Sequence, residues 1–314
     1  MRSQPRSFFR LVFRAARTLL RAPTVHVSAR WLCFRAKALR RPPVTLNEKI
    51  RLHMVYSREP HLARMADKFA VRGLVEERIG KHYLPELFGV FDRADALLAP
   101  GAYPRRCAIK ATHGSGATLL INDSLDLGHA IVPRPRPLFP WNLNARLHPD
   151  DIEPRALQRL LDAWLRSDYS RLKAEWAYRD VPRRIIVEEL LDADGEPPAD
   201  YKFWCVNGTV RFFQVDEGRF GRHTRSVHLP DGTPVPVTIG YPAPEVLPTM
   251  PPMLNEMVGV AEALAAGLDF IRVDLYALPD RIVVGELTNY PEGGMKRMRP
   301  TALLSGLASD WVPV

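Results

Sequence analysis

Cysteine is scarce in this chain. Its three residues, Cys33, Cys107 and Cys205, are scattered over 314 positions. They are too few for a disulfide framework, and none has the short spacing that holds zinc or a redox pair. A reducing cytosol suits such a chain best. No run of about 18 apolar residues occurs, so no membrane-crossing helix is expected. The first residues lack the unbroken apolar stretch and small-residue cleavage site of a secretory signal. Acidic residues are missing up to position 43. Internal repeats and extended low-complexity segments are also missing. At 46% apolar residues, the chain can bury a substantial core and divide into two or three packed units.

The missing acids locate the basicity. The chain carries +9, and residues 1–43 hold eleven Lys and Arg, so subtracting eleven from nine leaves −2 for the rest. Arg2, Arg6, Arg10, Arg14, Arg17 and Arg21 recur at helical spacing, with Phe8, Phe9, Leu11, Val12 and Leu19 mainly on the other side. This reads as a basic amphipathic arm for an anionic membrane surface, where each basic residue contributes about 1 kcal/mol. A solvated arm, an arm packed on the domain and an organelle transit peptide remain alternatives. Nucleic acid ranks last, because aromatic residues at regular stacking intervals are absent.

Beyond the arm, Thr45 and Glu48 fit a capping box that opens a helix. "MADKFAVRGLVEERIG" predicts one further helix ending at Gly80. "CAIKATHGSGATLLI", residues 107–121, predicts a hairpin whose glycine tip can bring backbone N–H groups to a phosphate. The prolines of 133–143 mark a stiff connection, and a helix is expected over 151–167. A strand follows over 183–195, then a hairpin over 200–215 turning at Asn207-Gly208, and a helix over 253–268. The last hairpin, "IRVDLYALPDRIVVGELTNYPEGG", carries Asp274 and Glu286 inside two apolar runs, twelve residues apart. Facing each other there, they require a positive partner: Arg272 in an ion network, or a divalent cation.

The order of "NEKI", "DK..VR", "K..HGSG", "EE.L", "DYKF", "RVDLY" and "GELT" along residues 45–311 resembles the ATP-grasp superfamily, in its TupA-like (teichuronopeptide-biosynthesis) branch. The resemblance implies an α+β fold in which two α/β subdomains grip ATP between them. It divides the chain into the arm (1–44), an N-terminal part (45–100), a central lid with the glycine loop (101–188) and a C-terminal subdomain with the metal site (189–314). It implies that Lys68 and Lys110 reach the ATP phosphates and that His113, Gly114, Ser115 and Gly116 form the loop over them. Glu188, Glu189 and Leu191 would hold adenine, and Asp200 the ribose. Asp274 and Glu286 would bind one or two Mg²⁺ ions, with Thr288 as a weaker third ligand where relatives have Asn. Arg272 would stabilise a tetrahedral intermediate, and Lys202 would add a phosphate or substrate charge. Both could instead be structural, Arg272 as an ion pair with Asp274 and Lys202 as a lysine reaching out from a sheet edge.

The resemblance implies an ATP-dependent carboxylate–amine ligase and, by itself alone, a place in bacterial cell-surface polymer or polysaccharide assembly. Its partners would be a small or glycan-linked carboxylate, an amine acceptor and, through the arm, the inner face of the cytoplasmic membrane. A phosphotransferase acting on a sugar or alcohol and a non-catalytic nucleotide-binding adaptor are the alternatives. Asn at 274 or Gln at 286, which keep the volume, are expected to abolish ATP turnover and spare the fold.

Overall fold

The computed structural model describes residues 42–123, 130–136, 139–141, 143–192, 197–218 and 221–313. The predicted arm lies almost entirely outside them. Helix α1 (Leu46–Tyr56) opens with the predicted capping box: the Thr45 hydroxyl accepts from Glu48 N at 3.2 Å, and the Glu48 carboxylate accepts from Thr45 N at 3.0 Å. The single helix expected next is two, α2 (Pro60–Ala66) and α3 (Ala70–Ile79). The Asp67 carboxylate takes Phe69 N at 2.9 Å, and Lys68 N turns away to Thr112 O at 3.2 Å, which removes both donors from a helical ladder. Gly80, at φ 105°, ends α3 where a side chain would be strained.

Two five-stranded sheets follow. The first contains β1 (Leu87–Phe91), β2 (Cys107–Ala111), β3 (Ala117–Ile121), β4 (Leu143–Leu147) and β5 (Ile185–Glu188) in the order β1-β5-β2-β3-β4, with only β3 and β4 parallel. The strand expected over 183–195 is thus limited to four residues. Because β1 finds its hydrogen bonds on β5, the 45–100 segment is shared between the two sheets and forms no unit of its own. Ile109, Leu119, Ile185 and Val187 bury one face of this sheet against Leu157, Leu160, Leu161 and Trp164 of α4 (Pro154–Arg166). That helix starts later than expected, since Glu153 caps it by accepting from Arg155 N and Ala156 N, with Pro154 as its first residue.

The second sheet contains β6 (Asp200–Val206), β7 (Thr209–Glu217), β8 (Thr224–His228), β10 (Phe270–Ala277) and β11 (Ile282–Thr288), all antiparallel in the order β11-β10-β6-β7-β8. A two-residue strand, β9 (Thr238–Ile239), pairs with β12 (Met298–Arg299) beside it. Asn207 (φ 51°) and Gly208 (φ 77°) make the predicted tight turn between β6 and β7. Strand alternation explains how acids sit inside apolar runs. Phe203, Ile271, Val273 and Leu275 point into a core under α3 and α5 (Leu254–Ala265). Their neighbours point the other way: Trp204, Phe212 and Phe270 pack under α1 and Trp311. The rest of that face carries Asp200, Lys202, Arg272 and Asp274; of these Asp200, Lys202 and Asp274, with the outer face of β2 and β3, line a cleft.

Candidate active site

The acidic end of the cleft is built on the last hairpin. Asp274 is directly opposite Glu286, while Leu275 is opposite Val284, so Gly285 is a bulge that brings the two carboxylates onto one face. A Cβ at Gly285 would come within 2.7 Å of the Tyr276 ring. Asp274 is 1% exposed and holds two cations. Arg272 donates to it through Nε and a terminal nitrogen, both at 2.7 Å, and Lys202 Nζ donates at 2.6 Å. The same Lys202 nitrogen reaches Asp200 at 2.5 Å. Arg272 continues to Glu286 at 3.2 Å and to the Thr288 hydroxyl at 3.1 Å, and that hydroxyl donates to Glu286 at 3.1 Å. Burial raises the Asp274 carboxyl to about 6, against the opposing pull of Arg272 and Lys202. For Arg272, burial disfavours the charge, but Asp274 beside it prevails and raises its pKa.

The basic end comes from the first sheet and the break between α2 and α3. Lys68 Nζ donates to the Gly114 carbonyl at 2.6 Å; burial lowers its pKa, and Glu286 opposes that shift. Lys110 donates to Glu188 at 2.9 Å, whose other oxygen accepts from Arg72 at 2.8 Å. Glu188 is buried between these two cations, and its carboxylate does not line the cleft. The resemblance implies a role at adenine for this side chain. Glu189 does line the cleft, its carboxylate tied to Arg281 and to Glu86 N. Ala108, Leu120, Leu190, Leu191 and Pro197 give the cleft apolar lining, and Asp200, Lys202, Asp274, Glu286, Lys68 and Lys110 give it charged lining.

The glycine loop divides. Ser115 and Gly116 line the cleft, Gly116 at φ 74°. Gly114 packs so tightly that a Cβ would meet Trp141 at 2.5 Å and Tyr169 at 2.9 Å. The His113 side chain departs from its assigned place over the phosphates. Its ring is 2% exposed, donates from Nε2 to Trp164 O at 2.9 Å and meets Trp141 edge-on; burial pushes its pKa down to about 4. Arg72, Gly285 and the pair Asp67–Arg184 were not singled out from sequence, although Asp67 and Arg72 lie within the "DK..VR" block.

The family model of the TupA-like ATP-grasp proteins matches residues 48–304. This chain belongs to that family. Solved structures similar to this TupA-like chain include the ATP-grasp ligase PsnB complexed with minimal precursor, with TM-score 0.39 and 14% identity over 80% of this chain and 61% of that one. The D-alanine–D-alanine ligase of Bacillus anthracis gives a TM-score of 0.38 and 10% identity over 79% of this chain and 66% of that one. An ATP-grasp RimK domain protein of Sphaerobacter thermophilus gives 0.38 and 14%, over 86% and 78%. The TupA-like chain therefore spans about three fifths of PsnB's length. No curated protein matches it.

Mg²⁺ is the metal the family implies, and the donor set fits it. Asp274, Glu286 and Thr288 offer only hard oxygens on one patch. Among the described residues no three acidic, imidazole or thiol groups form a metal cage.

Proposed function

We propose that this TupA-like protein is an ATP- and Mg²⁺-dependent carboxylate–amine ligase acting in bacterial cell-surface polymer or polysaccharide assembly. One observation carries the catalytic reading: the cleft sets Asp274 opposite Glu286, with Lys68 and Lys110 at its other wall and an apolar pocket beside them. A nucleotide fits that division of chemistry, with its base in the pocket around Leu120 and Leu191, its ribose at Asp200 and its phosphates toward the lysines.

Lys68 and Lys110 are compact charges on long stems, suited to following the terminal phosphate as it moves to the substrate carboxylate. Mg²⁺ held by Asp274 and Glu286, with Thr288, would neutralise phosphate charge. The carbonyl of the resulting acyl phosphate is then open to the amine. Arg272 is held by two hydrogen bonds to Asp274, through Nε and one terminal nitrogen, so its other terminal nitrogen would be the donor that meets the oxyanion. Lys202, held by Asp200 and Asp274, supplies a second fixed cation on the same face. The basic residues of 1–43 would bring the enzyme to the inner face of the cytoplasmic membrane.

The test is incubation of the pure protein with ATP, Mg²⁺ and pooled amino acids and uronic acids, reading ADP and condensed mass together. ADP with an amide-linked product supports the ligase. A stable phosphorylated product would replace it with a phosphotransferase, and the absence of nucleotide turnover would point to an adaptor.

A further inference from the structure

The three residues between α2 and α3 are each held by the first sheet. The Asp67 carboxylate, 3% exposed, accepts from Arg184 at 2.7 Å. Lys68 N donates to Thr112 O at 3.2 Å, and Thr112 N returns to Arg184 O at 2.9 Å. The Arg184 guanidinium also lies 4.6 Å from the centre of the Phe69 ring. Thr112 and Arg184 follow and precede the paired ends of β2 and β5, whose register sets Ala111 beside Ile185. Sequence periodicity alone favours a continuous helix here. A helix running through 67–69 would withdraw the Lys68 amide from Thr112 and redirect its side chain away from Gly114 O.

We infer that Asp67 and Arg184 are positioning residues for Lys68: their ion pair keeps the helix broken and aims the lysine at the glycine loop beside the cleft. Neither residue lines the cleft. Their effect on a nucleotide therefore passes through Lys68. The inference rests on the nucleotide reading above, and its test separates the two.

Isothermal calorimetry with a non-hydrolysable ATP analogue and Mg²⁺ on the full chain reads nucleotide affinity. Acetic anhydride labelling of Lys68, followed by mass spectrometry, reads its position without nucleotide. Arg184→Gln should weaken analogue binding about tenfold, the scale of one displaced charge-assisted bond, and Arg184→Lys should recover part of it. Lys68 should label faster in Arg184→Gln than in the parent. In a Lys68→Met background, Arg184→Gln should change affinity by less than about twofold, because the residue it acts through is gone. An equal loss in both backgrounds, or unchanged affinity and labelling in Arg184→Gln, overturns the inference. Should Asp67→Asn fail to fold, the Arg184 variants still decide, since that side chain is 25% exposed. A parent that binds no analogue refutes the nucleotide reading, and the labelling result then decides the positioning role alone.

Discussion

Asp274→Asn separates two roles that sequence alone merges. The substitution keeps volume, which is why it is expected from sequence to spare the fold. The structure makes Asp274 the shared partner of Arg272 and Lys202, with side chains 2%, 6% and 7% exposed respectively. Removing its charge leaves the two buried cations with Asp200 and the outlying Glu286 as the carboxylates still bonded to them. Losing one partner of a buried pair costs about 3 to 5 kcal/mol. Taking about 3, because the asparagine oxygen still accepts one bond, and about 2 to 4 °C per kcal/mol, the melting temperature should fall by about 6 to 12 °C. Glu286→Gln is the contrast. Its side chain is 36% exposed and meets Arg272 at 3.2 Å, and a half-exposed pair is worth about 0 to 1 kcal/mol. Both variants should lose Mg²⁺-dependent ADP release, and only Asp274→Asn should lose stability. Differential scanning fluorimetry without nucleotide or metal measures the second effect. Equal melting of Asp274→Asn and the parent would refute the idea that Asp274 anchors the two cations, and full ATP turnover by either variant would refute the metal assignment.

Lys110→Met should weaken ATP binding by about 1 to 3 kcal/mol at low and high Mg²⁺ alike, with the fold kept because Arg72 still holds Glu188; unchanged affinity by calorimetry removes Lys110 from the site. His113 should make the protein acid-labile. Its folded pKa of about 4 lies below the ordinary 6.5, so the unfolded chain binds more protons between them. Stability is then complete above pH 6.5 and falls toward pH 4 by up to about 1.4 kcal/mol per pH unit. His113→Gln should flatten that slope in urea melts, and an unchanged slope would assign the acid lability to other groups. Deleting residues 1–43 should abolish salt-sensitive co-sedimentation with anionic vesicles while ATP turnover on a soluble acceptor persists; equal vesicle binding with and without the arm would refute a membrane role.

Local signals explain what sequence showed of the fold. The Thr45–Glu48 box, the Asn207-Gly208 turn and the alternation around Asp274 each lie within one element or one hairpin, where backbone geometry alone fixes the outcome. The break at 67–69 was hidden because its cause, Arg184, is 117 residues further on. The resemblance implies an adenine role for Glu188 from its place in the "EE.L" block, whereas its cations come from Lys110 and from Arg72, 78 and 116 residues away. His113 sits in a motif that suggests an exposed tip, yet Trp141 and Trp164, distant in sequence, draw its ring inward. Block order identified the family; the direction of each side chain depended on packing partners that no single block contains.

The place of β5 between β1 and β2 also bears on how the chain is made. The second sheet grows largely from hairpins, β6 with β7 and β10 with β11, whose contacts are close in sequence and form early. The first sheet has one such hairpin, β2 with β3, but among the described residues β1 pairs only with β5, and β2 keeps its other edge open until Ile185–Glu188 arrives. During synthesis the strand that bears Lys110 therefore waits half-paired for about 75 residues, at 5 to 20 residues per second a delay of roughly 4 to 15 seconds. An unpaired strand edge is a template for association with another chain. The interval before β5 emerges is thus the time when this protein most needs a chaperone, and a fragment ending before Ile185 would carry that exposed edge permanently.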